Sequence, residues 1–302
     1  MTGNTVASAT PPHLFCFGLG YSALALARLA AAEGWTVTGT CRTAESAAAL
    51  RALGFAVEFF DRERPLTGEA MGGGTHVLVS VPPDTAGDPV SDRHGSDIAM
   101  LPRLVWLGYL STTGVYGDRG GGWVDETAAL QPSGKRGRRR VNAESQWLKL
   151  WRERGVPVHI FRLAAIYGPG RGPFEALRAG SARRIDKPGQ VFSRIHVGDL
   201  AQVLLASMRK PRPGAIYNVC DDEPAPQEAV VAHAAGLLGM PAPPLVPFSA
   251  AGLSAMALSF YDDNKRVRNT LIKRELGVVL RYPGYRAGLA AILDAEGSAL
   301  PK

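Results

Sequence analysis

Apolar residues in this chain fall in short unbroken runs, separated by stretches with helical patterning. Leu14 to Gly18 is the first run, mostly apolar, and reads as a buried strand. A helix is predicted from Tyr21 or Ser22 through the Ala- and Leu-rich segment to Gly34, which sits where a left-handed residue ends a helix. Trp35 to Thr40 predicts a second strand, with a helix around Glu45–Leu53 behind it. Phe55 to Phe60 is a third and ends at Asp61, and His76 to Val81 is a fourth, halted by Pro82-Pro83. Leu104 to Leu110 is a fifth and leads into Ser111-Thr112-Thr113. A helix around Arg139–Arg154 ends before Gly155, and Val156 to Arg162 makes the sixth strand. Strands alternating with helices predict an α/β fold with a doubly wound parallel sheet.

Beyond residue 165 the texture changes. Pro and Gly recur through 168–173, 187–189, 211–214 and 241–247, and the elements shorten. Helices are expected near 198–209, 226–238, 264–275 and 285–295, with a strand at Ala215–Val219. The expected organisation is a tail without order at 1–12, a nucleotide-binding domain at 13–165 and a smaller substrate domain at 166–302, partly interleaved with the first.

Between the first strand and its helix lies Gly18-Leu19-Gly20-Tyr21-Ser22-Ala23. Glycine permits the tight turn and lets backbone N–H groups approach a pyrophosphate, which the helix N-terminus attracts. Ala23 stands for the third glycine of the dinucleotide fingerprint and is small enough for helix–strand packing. An NAD-selective fold places an acid about 20 residues past the first glycine, where it bonds the ribose 2′-OH. Here the second strand closes Thr40-Cys41-Arg42 with no acid before Glu45. Arg42 is either a plain exposed strand-end arginine or a fork for a 2′-phosphate, and the missing acid favours NADP, with NAD as the alternative.

Composition changes this picture little. At 46% hydrophobic and 20% charged, 302 residues make ordinary globular material. Cys16, Cys41 and Cys220 are scattered without metal-ligand spacing, which argues for a reducing, cytoplasmic setting and against zinc. No basic and apolar leader opens the chain, and no run approaches the ~18 apolar residues of a membrane span, so neither export nor a membrane partner is expected. The net charge of +7 is concentrated in Lys135, Arg136, Arg138, Arg139 and Arg140, too narrow a patch for a nucleic-acid surface. That run is either a solvated first helical turn or a grip for an anionic substrate or the cofactor's pyrophosphate.

The stretches FGLGYSA, YLSTTGVYG with Asp125-Glu126 after it, RLAAIYGPGR, FSRIHVGDLAQVL, AIYNVCDDEP and NKRVRNTLIKRELG stand in one order over residues 14–293. In that order they resemble the extended short-chain dehydrogenase/reductases, the NAD(P)-dependent epimerase/dehydratase family. The resemblance implies a Rossmann-type cofactor domain, a small C-terminal substrate domain and a nucleotide-sugar or small carbonyl substrate. It also implies a Ser/Thr before the Val-Tyr-Gly turn, matched by Thr112, and a Tyr-x-x-x-Lys pair on the next helix. Counting back from Glu144 puts Arg140 at the lysine and Arg136 at the tyrosine, or Gly137 there after a one-residue slip. None of these is a phenol, and Thr113 and Gly114 occupy the positions of the dehydratases' Asp-Glu pair. Arginine does not act as a general base near neutrality, so the resemblance is to an atypical subgroup.

Carried over residue by residue, the resemblance implies catalytic roles for Thr112, Arg136 and Arg140. It implies cofactor contacts at Gly18, Leu19, Gly20, Tyr21, Ser22, Arg42, Asp61, Val81, Leu163 and Ala165, the last two replacing the family's Pro and Asn. Tyr116 and Tyr167 are secondary candidates for proton donation. His196 reads as a satisfied core histidine, Asp199 as a helix cap and residues 219–223 as solvated turn. The family's dimer helix looks truncated between Ser80 and Ser111, so no oligomer is assigned. The expectation is an oxidoreductase or epimerase-type enzyme on a small, anionic or nucleotide-sugar-like substrate. The competing expectation is a non-catalytic NADP-binding sensor or regulator.

Overall fold

The computed structural model describes residues 11–299. The tail expected at 1–12 lies, apart from residues 11 and 12, outside the described residues. In chain order the strands are β1 (His13–Phe17), β2 (Thr36–Cys41), β3 (Ala56–Phe59), β4 (His76–Val79), β5 (Trp106–Thr112), β6 (Trp123–Val124), β7 (Val158–Leu163), β8 (Ala165–Tyr167), β9 (Arg184–Asp186), β10 (Arg194–His196), β11 (Ile216–Val219), β12 (Leu245–Pro247) and β13 (Arg266–Val267). The helices are α1 (Tyr21–Ala32), α2 (Ala44–Ala52), α3 (Pro89–Ala99), α4 (Lys135–Arg154), α5 (Pro173–Arg178), α6 (Val197–Arg209), α7 (Gln227–Leu237), α8 (Ala255–Tyr261), α9 (Thr270–Leu276) and α10 (Tyr285–Ala299).

Seven strands form one parallel sheet in the order β11-β7-β5-β4-β1-β2-β3. This is the Rossmann-like α/β fold that the alternation predicts. Both faces are covered, and the central strands β1, β4, β5 and β7 are buried on both sides, whereas β2 and β3 near the edge alternate buried and open positions. In β1, Leu14 and Cys16 join Leu26, Ala27 and Leu204 on one face, while Phe15 and Phe17 join Val90, Ile98 and Trp147 on the other. The last strand, β11, comes from far beyond residue 165 and pairs with β7 from Ile216↔Ile160 to Val219↔Leu163. A third apolar cluster packs α5, α7 and α10 through Phe174, Val231, Ala234, Leu289 and Ile292.

Two elements depart from the sequence expectation. The helix expected near 264–275 begins only at Thr270, because the backbone before it is drawn into pairing. Asn264 O accepts from Arg119 N and Gly121 N, and Arg266 N donates to Gly122 O. Conversely, α4 starts at Lys135 rather than near Arg139, so the basic run forms its first turn. Between Ser80 and Ser111, Pro89 opens an 11-residue helix, α3, and Asp88 caps it through Val90 N and Ser91 N.

Candidate active site

The strand order reverses between β1 and β4, and in open α/β sheets ligands bind outside the strands' C-terminal ends at such a switch. Gly18 leaves β1 with φ +82°, and a Cβ on it would stand 2.9 Å from Ser80 Oγ and 3.0 Å from Val81 Cγ2. Val81 thus walls the glycine turn from the β4 side. Ser80 Oγ donates to Gly18 O at 2.5 Å, which ties the two loops together. The amides of Gly18 and Leu19 are spent within the turn, on Thr40 Oγ1 and Thr40 O, each at 2.8 Å. These two residues shape the turn, and Leu19 buries its side chain against Gly39.

Gly20 is different. It is exposed, caps α1 without any side-chain bond, and a Cβ on it would meet nothing within 4 Å. The first turn of α1 carries no acidic residue. The first N–H groups of a helix have no partner within it. Open space in front of Gly20, Tyr21 and Ser22 therefore suits an anion, and the site fits a dinucleotide pyrophosphate.

Arg42 is exposed just past the end of β2. Its carbonyl accepts from Arg64 Nη2 at 3.0 Å, and the Arg64 guanidinium lies 4.7 Å over the Phe59 ring. Asp61 is held rigidly: its Oδ1 accepts from Glu63 N and Arg64 N, and its Oδ2 pairs with Arg64 at 3.2 Å. Arg64 was not singled out in the sequence, and only its place three residues past Asp61 could have drawn attention to it.

Past β5 the chain turns back on itself. Thr112 Oγ1 accepts from Gly114 N at 3.1 Å. The first turn of α4 lies against this turn: Gly137 is buried, and a Cβ there would stand 2.9 Å from Gly114 O and 2.6 Å from Pro132 Cβ. Thr112 and the start of α4 therefore share one neighbourhood. Arg136 is exposed with its guanidinium 5.8 Å from the Phe260 ring of α8. Arg140 turns inward and uses Nη1 on Leu110 O and on Tyr109 Oη at 3.1 Å. Leu163 is buried at the end of β7, and Ala165 is exposed just beyond.

Beneath Thr112 runs a buried polar network of which the sequence shows only Glu144, as a counting mark, and Tyr116, as a candidate proton donor. Ser111 Oγ donates to Glu144 Oε1 at 2.5 Å, and Arg162 pairs with Glu144 at 2.8 Å, both side chains at most 3% exposed. Arg162 Nη1 reaches Tyr116 Oη at 3.0 Å, and Tyr116 donates to Asn218 Oδ1 at 2.6 Å. Burial pushes the Tyr116 phenol up to about 12, and its hydroxyl is fully engaged. The Tyr167 hydroxyl is likewise enclosed, with Gly284 O 3.5 Å away.

Three further readings change. Asp199 does not cap α6. His196 does, accepting from Gly198 N through Nδ1, while the Asp199 carboxylate takes the amides of Arg281 and Tyr282 at 2.8 and 2.9 Å. His196 is not fully satisfied, since its buried Nε2 has no partner. Asp221 is not solvated: it is 1% exposed, and burial raises its carboxyl to about 8.

Residues 103–220 match the family described as "NAD dependent epimerase/dehydratase family". The chain is 28% identical over 279 residues to protein YeeZ of Escherichia coli K12, an alignment covering 88% of this chain and 94% of YeeZ. It is 53% identical to a functionally unknown conserved protein from Silicibacter pomeroyi, whose structure superimposes with a TM-score of 0.88 over 94% of this chain and 99% of that one. The dTDP-glucose 4,6-dehydratase of Bacillus anthracis, solved in complex with NAD, shares the fold with a TM-score of 0.74 at 17% identity, over 95% and 97% of the two chains. Among the described residues no helix is long and apolar enough to cross a membrane.

Proposed function

We propose that the protein, whose residues 103–220 match the NAD dependent epimerase/dehydratase family, is an NADP-preferring oxidoreductase or epimerase-type enzyme acting on a small anionic or nucleotide-sugar-like substrate. The observation that carries this reading is the open, uncapped start of α1 at Gly20, set at the strand-order switch. The amides of Gly20, Tyr21 and Ser22 would hold the pyrophosphate. Asp61 would lie toward the adenine, and Arg42, whose carbonyl Arg64 holds, would meet the 2′-phosphate, a guanidinium where an NAD site needs an acid. Leu163 and Ala165 face the nicotinamide end.

Bound there, the cofactor would supply hydride transfer. Thr112 would orient the reacting oxygen and Arg136 would stabilise the negative charge developing on it, the proton that completes the reduction coming from an acidic group of the substrate itself. Arg140 braces the end of β5 through Leu110 O and offers its remaining N–H groups to the ribose. The exposed cations of the first α4 turn attract an anionic substrate. In this scheme residues 13–165 chiefly bind cofactor and 166–302 chiefly bind substrate, in a reducing cytoplasmic setting that suits three free cysteines.

A second reading, a non-catalytic NADP sensor, is favoured by the enclosed hydroxyls of Tyr116 and Tyr167, the two tyrosines that could have served as proton donors. Titrating NADPH and NADH against tryptophan fluorescence tests the cofactor: NADPH should bind about 10- to 100-fold more tightly, and Arg42→Ala should remove most of that margin. Equal affinities in the wild type would overturn the NADP assignment. NADPH oxidation across a carbonyl panel, with Thr112→Val and Arg136→Ala alongside, separates enzyme from sensor. Turnover untouched by both substitutions would move the chemistry elsewhere.

A further inference from the structure

A second piece of chain reaches the start of α1. The turn 168–171 is closed by reciprocal backbone bonds, Gly168 N to Arg171 O at 3.0 Å and Arg171 N to Gly168 O at 2.9 Å, with Gly170 at φ +69°. It is fastened to the first residue of α1, where Tyr21 Oη donates to Pro169 O at 3.1 Å. The approach is close, because a Cβ on Gly168 would stand 2.5 Å from Tyr21 Oη and 2.6 Å from Val197 Cγ1. From this turn the Arg171 guanidinium lies 5.4 Å from the centre of the Tyr21 ring. Arg171 is exposed and makes no ion pair among the described residues.

We propose that Arg171 is a further cofactor-binding residue, a guanidinium that closes over the dinucleotide pyrophosphate from the side opposite the α1 amides. The inference rests on the dinucleotide site proposed above and adds to it a group from the other half of the chain. Tyr21 is the first residue of the helix, so a cation resting on its ring is held within a side chain's length of the helix's free N–H groups. The first turn of α1 has no acid and Gly20 provides no side-chain cap, so the helix end itself is unneutralised, while Glu175 is the carboxylate that shares the surroundings of Tyr21 with Arg171. A cation beside the positive end of a helix is unfavourable until an anion enters between them. The planar fork of arginine matches two oxygens of a pyrophosphate. The rigid turn supplies the preorganisation: the guanidinium is already placed, and Tyr21 serves as its platform.

The pyrophosphate is common to NADPH and NADH, whereas Arg42 addresses only the 2′-phosphate. Binding is measured by fluorescence titration and calorimetry with NADPH, NADH, ADP and adenosine. Arg171→Ala should weaken NADPH, NADH and ADP by a common factor of about ten and leave adenosine unchanged. Arg171→Lys should recover part of the loss, as a point charge without the fork. The ligand-free melting temperature of Arg171→Ala should match the wild type, because the side chain is exposed. Gly20→Val should fold and lose all three phosphate-bearing ligands, since the new side chain fills the pyrophosphate's space. Unchanged NADPH affinity in Arg171→Ala, while Gly20→Val abolishes binding, would overturn the role of Arg171 and leave the site standing. A loss confined to one dinucleotide would overturn it as well. No binding of either dinucleotide by the wild type would remove the site itself, and the proposal with it.

Discussion

Glu144 and Arg162 sit side by side in the interior, and removing one charge leaves the other stranded. Breaking such a pair costs about 3–5 kcal/mol, mostly from the abandoned ion. Glu144→Gln should therefore destabilise the fold by that amount in urea denaturation, and a loss below about 1 kcal/mol would show that Arg162 finds other compensation. The substitution should also loosen Thr112, because Glu144 holds Ser111, the residue before it. Side-chain roles of this kind were the least legible part of the sequence. Gly18, Gly20 and Ala23 could be read because their backbone task is local. Asp199 and His196 could not, because their partners, Arg281 and Tyr282, arrive from some eighty residues downstream. Asp221 looked like a solvated turn for the same reason: the elements that enclose it are distant in sequence.

At the level of elements, unbroken apolar runs mark the central strands, since a strand buried on both faces leaves that signature, while β2 and β3, with threonines and Glu58 among their residues, are placed by their alternation with helices. Short paired segments were not visible, and β13 was absorbed into an expected helix because two-residue pairings leave no periodicity. The first turn of α4 shows an element in conflict with itself. Its four N-terminal positions include Lys135, Arg136 and Arg138, no acid, and a glycine cap without a side-chain bond. Cations there oppose the helix dipole by about 0.3–1 kcal/mol each. Lys135→Glu should thus raise stability by about that amount, read as a higher melting temperature at low salt, and weaken binding of anionic substrates. A lower melting temperature would mean that the dipole is already offset by another group.

For the whole molecule, buried titratable groups set the pH range of stability. Burial lowers His76, His159 and His196 to about 4 from the ordinary 6.5, so between those values the unfolded chain takes up protons that the fold refuses. Stability therefore falls as pH drops from 6.5 toward 4. Asp221 acts in the opposite sense: the fold keeps it protonated up to about 8, while in the unfolded chain it ionises near 3.8, so it costs stability as pH rises across that interval. Asp88, Asp199 and Glu126, also raised by burial, add to this second slope at its acid end. Three histidines outweigh Asp221 below 6.5, and above it Asp221 remains, at no more than ~1.4 kcal/mol per pH unit. The melting temperature should peak near pH 6.5, and Asp221→Asn should flatten the decline toward pH 8. A wild-type melting temperature that climbs steadily from pH 6.5 to 9 would contradict this.

The placement of β11 has a consequence for how the protein is made. Its partner β7, Val158–Leu163, is a fully buried strand whose outer edge is closed, among the described residues, by Ile216–Val219. A ribosome adding roughly 5–20 residues per second delivers β11 about 3–10 s after β7 has emerged. Through that interval an apolar strand with Ile160 and Phe161 shows an unpaired backbone edge, the geometry that recruits other chains. The nascent polypeptide thus carries an aggregation-prone edge through the third quarter of its synthesis. A chain interrupted between the two strands would keep that open edge permanently.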